Sequence, residues 1–67
     1  MNLTWHEIEI WREERGMRKA DLARAAGIPE STIYRGLSKS SRLQPSMRTV
    51  MRGIFPEKFN DKGEVRQ

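Results

Sequence analysis

The sequence predicts an all-α domain of four helices, five at most, and three observations predict it. Glycines at 16 and 27 and prolines at 29, 45 and 56 cut the chain into segments of helix length. Within those segments the apolar residues recur at spacings of three and four, and no run alternates as a half-buried strand would. The first segment opens on Thr4-Trp5-His6-Glu7, which fits a helix capping box. A chain of 67 residues that is 36% hydrophobic can bury a core of roughly ten to fifteen side chains, but hardly a deep catalytic pocket. The absence of cysteine excludes disulfides, zinc-cysteine sites and thiol chemistry. Apolar runs of two or three residues offer no membrane span and no secretory leader, so the expected compartment is the cytoplasm.

The first helix is placed at about 4–15. The Thr4 hydroxyl and the Glu7 carboxylate each take an orphaned backbone N–H, and Leu3 with Ile8 closes a hydrophobic staple over the cap. Trp5, Ile8 and Trp11 fall within one third of the circumference, leaving Ile10 on another face. Gly16 ends the helix with a left-handed cap. The second helix, 18–26, is short and alanine-rich, and Gly27 ends it with Ile28 tucking back toward the core. Pro29 opens a third helix at 29–38, with Ile33 and Leu37 inward and Glu30, Ser31, Tyr34 and Arg35 outward. Ser38-Lys39-Ser40-Ser41-Arg42 reads as a loop. Pro45 opens a fourth helix, 45–54, with Met47, Val50, Met51 and Ile54 on one face, and Pro56 closes it. The reading is one domain over 1–55 and a polar tail over 56–67, expected to fray.

The net charge is +4, unevenly distributed. Residues 1–16 sum to −2, residues 17–55 to +6, and residues 56–67 to zero. A basic field concentrated in the middle of a chain suits a polyanion such as nucleic acid.

Two short helices joined by a tight glycine turn form a helix-turn-helix unit, which places its second helix in the DNA major groove. The unit needs a small residue where the helices nearly touch (Ala23), a left-handed glycine four residues on (Gly27), and apolar residues after it and midway along the second helix (Ile28, Ile33). Leu22 anchors the first helix. The stretch from Lys19 to Arg35, preceded by Trp11-Arg12-Glu13-Glu14-Arg15-Gly16-Met17, resembles the lambda-repressor/Cro-type (XRE) helix-turn-helix family of bacterial and phage transcription regulators. The resemblance covers about residues 5–54.

That resemblance implies a lambda-repressor-like DNA-binding fold with 29–38 as recognition helix. The base-reading positions map to Glu30, Ser31, Tyr34 and Arg35. Arg35 can reach the two acceptors of a guanine edge, and Glu30 can accept from a cytosine amino group. Backbone contacts are implied for Arg18, Lys19, Thr32, Lys39, Ser40, Ser41, Arg42 and Ser46. Three positions depart from the family's pattern. Arg18 stands where a serine or threonine often caps the second helix. Leu37 stands where an acid often pairs with the arginine at Arg12. Gly36 within the recognition helix costs roughly 1 kcal/mol relative to alanine, and it either permits a close helix contact or ends the helix early.

Plainer readings compete at several positions. Trp5 and Trp11 are core residues before they are stacking platforms. His6 has no second histidine to share a metal with. The helix-1 glutamates form a solvated face, Met47 and Met51 belong to the core, and Glu30 and Arg35 can simply pair with each other. The expected function is a sequence-specific double-stranded-DNA-binding transcription regulator, a repressor that binds paired half-sites as a homodimer. Ile10, helix 4 and the tail around Phe55 and Phe59 are candidates for the dimer surface, the last two being equally suited to fold back on the core. The alternatives are a protein-interaction regulator of antitoxin or antiactivator type, and a DNA-bending recombination accessory factor. No enzymatic activity, metal, cofactor, small-molecule ligand or membrane partner is expected, and the protein is placed with the nucleoid in the cytoplasm.

Overall fold

The computed structural model describes residues 3–66. Met1, Asn2 and Gln67, which fall at the ends of the expected domain and tail, lie outside the described residues. The fold is all-α: α1 (Trp5–Arg15), α2 (Lys19–Ala26), α3 (Glu30–Lys39) and α4 (Pro45–Ile54), followed by a 3₁₀ turn (Pro56–Lys58). Among the described residues the only β pairing is two isolated antiparallel bridges, Thr4 with Arg42 and Phe59 with Val65.

At the start of α1 the Glu7 carboxylate accepts the Thr4 backbone N–H at 3.1 Å and also the Thr4 hydroxyl. The Thr4 hydrogen bond holds the Glu7 carboxyl below its ordinary value, against the opposing effect of burial. Leu3 and Ile8 are both buried in the same cluster. At the start of α2 Arg18 has no hydroxyl to offer. Asp21 three residues on accepts the Arg18 backbone N–H at 3.1 Å, so the reach-back half of a capping box is present. Gly16 (φ 74°) and Gly27 (φ 70°) adopt the left-handed conformation that ends α1 and α2.

The α2–α3 unit is built on the residues its geometry demands. Leu22, Ala23 and Ile33 are buried, Ile28 packs against the cluster, and the Ile28 N–H donates to the Ala23 carbonyl at 3.0 Å. Pro29 stands just outside α3 as its N-cap, in extended conformation, and its carbonyl accepts the Thr32 N–H at 3.0 Å. The helix then runs to Lys39, so Ser38 and Lys39 are helical and the loop begins at Ser40. Gly36 does not end the helix. It is buried against Trp5, and a Cβ there would overlap the indole ring. The glycine is the space in which α1 meets α3.

The segment after α4 corrects the expectation of fraying. Phe55, Phe59 and Val65 are all buried in the core. Trp11 meets Phe55 and Phe59 edge-on, at 5.7 and 5.8 Å between ring centroids. The Asn60 side chain accepts the N–H groups of Lys62 and Glu64 at 2.9 Å each, closing a turn around Gly63 (φ 79°) that sits against Arg52 of α4. Phe55 and Phe59 are therefore core, and leave the list of dimer-surface candidates. Ile10 is 56% exposed and stays on it.

Candidate nucleic-acid interface

At 3.6 residues per turn Glu30, Tyr34, Ser38, Ser31, Arg35 and Lys39 fall on one continuous arc of about half of α3. All six are exposed, while Ile33 and Gly36 on the other side are buried. The arc exists because the core takes only Ile33, Gly36 and part of Leu37. Tyr34 is the one large ring on it, 55% exposed. Glu30 and Arg35 form no ion pair, so neither neutralises the other.

Next to this arc a groove of about 320 Å³ separates α3 from the start of α4. Thr32, Arg35, Gly36 and Lys39 form its α3 wall, at the i, i+3, i+4, i+7 spacing of one helix face. Ser41 and Arg42 from the loop, and Gln44, Ser46 and Met47 from the entry to α4, form the other wall, with Trp5 at the base. The groove thus gathers Thr32, Arg35, Lys39, Ser41, Arg42 and Ser46 from the expected contact residues. Its loop wall is fixed by the N-terminal segment. The Trp5 N–H donates to the Ser41 carbonyl at 3.1 Å, and the Leu43 N–H donates to the Leu3 carbonyl at 2.9 Å. Ser40 lies outside the groove in a left-handed conformation (φ 49°), with its hydroxyl 3.0 Å from His6 Nε2.

Arg12, Arg15, Arg18, Lys19, Arg24 and Lys58 each lie within 4.0 Å of a carboxylate. Among the described residues Arg35, Lys39, Arg42, Arg48, Arg52, Lys62 and Arg66 have no such partner; of these Arg35, Lys39 and Arg42 line the groove, and Glu30 is the sole acid between Asp21 and Glu57. The groove wall is therefore an open positive field, suited to the phosphate backbone of a nucleic acid.

The remaining expected residues lie apart from the groove. Glu30 and Ser31 open α3, Tyr34 is on its outer arc, and Arg18 and Lys19 sit at the start of α2. Arg18 is 82% exposed and shares Asp21 with Arg24. Hydrogen bonding from Arg18 keeps the Asp21 carboxyl below its ordinary value. Lys19 is tied to Glu9 at 3.0 Å. Arg12, left without an acid at Leu37, finds Glu9 at 2.6 Å and the Met17 carbonyl at 2.6 Å instead. Burial opposes ionisation of Glu9, but hydrogen bonds from Lys19 and Arg12 outweigh it and hold that carboxyl below its ordinary value.

Sequence reasoning missed Gln44, Trp5 and His6 as neighbours of this surface. Gln44 carried a positional signal, since it precedes the proline that opens α4. Trp5 and His6 carried none, because their partners Gly36 and Ser40 are more than thirty residues away.

Among the described residues no helix is long and apolar enough to cross a membrane. A family model described as the CENP-B N-terminal DNA-binding domain matches residues 3–46, more than half of the chain. The match spans α1, α2, α3 and the loop wall of the groove. No curated protein and no solved structure matches the chain.

Proposed function

Since the chain belongs to the CENP-B N-terminal DNA-binding domain family, we propose that it binds double-stranded DNA sequence-specifically and regulates transcription, as a repressor. Among helix-turn-helix proteins we place it with the lambda-repressor/Cro type, on the spacing of Ala23, Gly27, Ile28 and Ile33. In this reading α3 enters the major groove. Arg35 donates to a guanine edge, Glu30 accepts from a cytosine amino group, and Ser31 and Tyr34 complete the readout. Thr32, Lys39, Ser40, Ser41, Arg42 and Ser46 meet backbone phosphates beside it, with Arg18 at the far end of the unit.

The observation that carries this reading is the open cationic wall of Arg35, Lys39 and Arg42 beside the exposed arc of α3. One module of this size contacts few base pairs, so a homodimer on paired half-sites supplies the affinity. Ile10 is the exposed aliphatic side chain that a second copy would cover. The work is done by binding alone, without cofactor or catalysis, at the nucleoid in the cytoplasm.

Selection from a random duplex library tests the proposal. The wild-type protein should enrich one motif with two half-sites. Arg35→Ala should weaken binding to that motif by roughly tenfold to a hundredfold and relax preference at a guanine. An Arg35→Ala protein that binds the selected site as tightly as wild type would contradict the assignment of α3. The exposure of Ile10 favours one second reading, docking onto a protein partner. Under that reading Ile10→Lys abolishes activity and Arg35→Ala does not.

A further inference from the structure

Lys19 is the first residue of α2, where the positive end of the helix repels a cation. Its ammonium is nevertheless held from two sides. Nζ lies 3.0 Å from Oε2 of Glu9 on α1 and 5.5 Å from the centroid of the Tyr34 ring on α3. Its side chain is 25% exposed, against 82% for the adjacent Arg18. The other oxygen of Glu9 takes Arg12, which also donates to the Met17 carbonyl. A continuous set of contacts thus runs from α1, through the turn before α2, to the outer arc of the recognition helix.

A phosphate approaching Lys19 meets the Glu9 carboxylate beside it, a like charge. A phosphate at Arg35, Lys39 or Arg42 meets none. Tyr34 has the opposite problem, since an exposed ring on a helix samples several rotamers unless something holds it. A cation within about 6 Å of the ring centroid does hold it.

We propose that Lys19 is a positioning residue, anchored by Glu9, that aims the Tyr34 ring for base readout and does not itself contact phosphate. This rests on the sequence-specific reading above. Tyr34 thereby becomes a determinant of which sequence is chosen, set from α2 through its anchor on α1 rather than from within α3.

The test titrates wild type, Lys19→Met, Lys19→Arg, Tyr34→Ala and the Lys19→Met/Tyr34→Ala pair. Each is measured against the wild-type-selected duplex and against random duplex across a salt series, with helicity checked by circular dichroism. Lys19→Met keeps the aliphatic stem and removes the ammonium. It should lower the selected-to-random affinity ratio about threefold to tenfold, leave the salt slope unchanged, and add nothing in the Tyr34→Ala background. Lys19→Arg should restore the ratio. A salt slope shallower by about 0.9 with an unchanged ratio would overturn the inference and make Lys19 a phosphate contact. Tyr34→Ala is at an exposed position and keeps the fold, so an unchanged ratio in that variant alone also overturns it. A wild-type protein that enriches no sequence overturns the regulator reading as well, and is seen before any variant is compared.

Discussion

On the side built by α1, α2 and the 3₁₀ turn, cations are matched to carboxylates: Arg15 to Glu57 at 2.6 Å, Lys58 to Glu14 at 2.9 Å, Lys19 to Glu9 at 3.0 Å. Along α3 and the loop into α4, Arg35, Lys39 and Arg42 stand unmatched among the described residues. The two sides differ in what lies beneath as well. Arg15 stacks 4.6 Å from the centroid of Phe55, and Lys58 lies 5.9 Å from that of Trp11, so the matched cations cover the aromatic core. Arg35, Lys39 and Arg42 instead rim a groove with Trp5 at its base. Matched surface charge contributes little net stability and almost no external field, whereas unmatched charge is available to a polyanion. The overall charge of +4 understates this asymmetry, because most of the acids are spent on one side.

The sharpest way to break the comparison is to remove the foundation of either side. Phe59→Ala should cost about 3–5 kcal/mol in denaturant unfolding, because it empties the space beside Trp11. In so small a domain that leaves little folded protein, yet the fraction that stays folded should bind DNA normally. Gly36→Ala should cost about 1–3 kcal/mol, through the clash of its Cβ with Trp5. Here the remaining folded protein should lose sequence preference, since α3 must shift against α1. A Gly36→Ala protein with wild-type stability would show that Trp5 does not set the height of α3.

A smaller effect sharpens the contrast by pH. The Glu9 carboxyl is held below its unfolded value, so its contribution to stability is complete above about pH 4.5 and is lost as pH falls through the lower folded value. Stability of wild type should therefore decline below about pH 4.5 more steeply than that of Glu9→Gln, measured by thermal unfolding across pH. Equal declines would show that Glu9 does not clamp Lys19 and Arg12. The smallest effect is expected for Arg24→Ala, whose side chain is 78% exposed at 3.6 Å from Asp21. Its stability should shift by less than about 0.5 kcal/mol.

Local features were legible in the sequence and distant ones were not. The α2–α3 unit is written in short-range signals: Gly27 stops one helix, Ala23 admits the next, and Ile33 faces inward. The exposed arc of α3 follows from periodicity alone. Phe59 and Val65 read as stray apolar residues in a polar stretch, because their partner Trp11 lies far upstream. Gly36 read as either a close helix contact or an early helix end, and only Trp5, far upstream, decides for the contact. Glu9 read as part of a solvated face because Lys19, ten residues on, belongs to another helix. Charge totals gave the sign of the field, but only the pairing of individual side chains shows which face carries it.

The most direct test of that claim compares two triple variants in a salt-resolved binding titration on the selected duplex. One replaces Arg35, Lys39 and Arg42 with alanine, and the other replaces Arg15, Arg24 and Lys58. Both lose the same formal charge. The first should flatten the dependence of log affinity on log salt by about 2–3 units, while the second should leave it nearly unchanged. Equal flattening by the two would contradict the claim, and would mean that DNA responds to net charge rather than to the unmatched face.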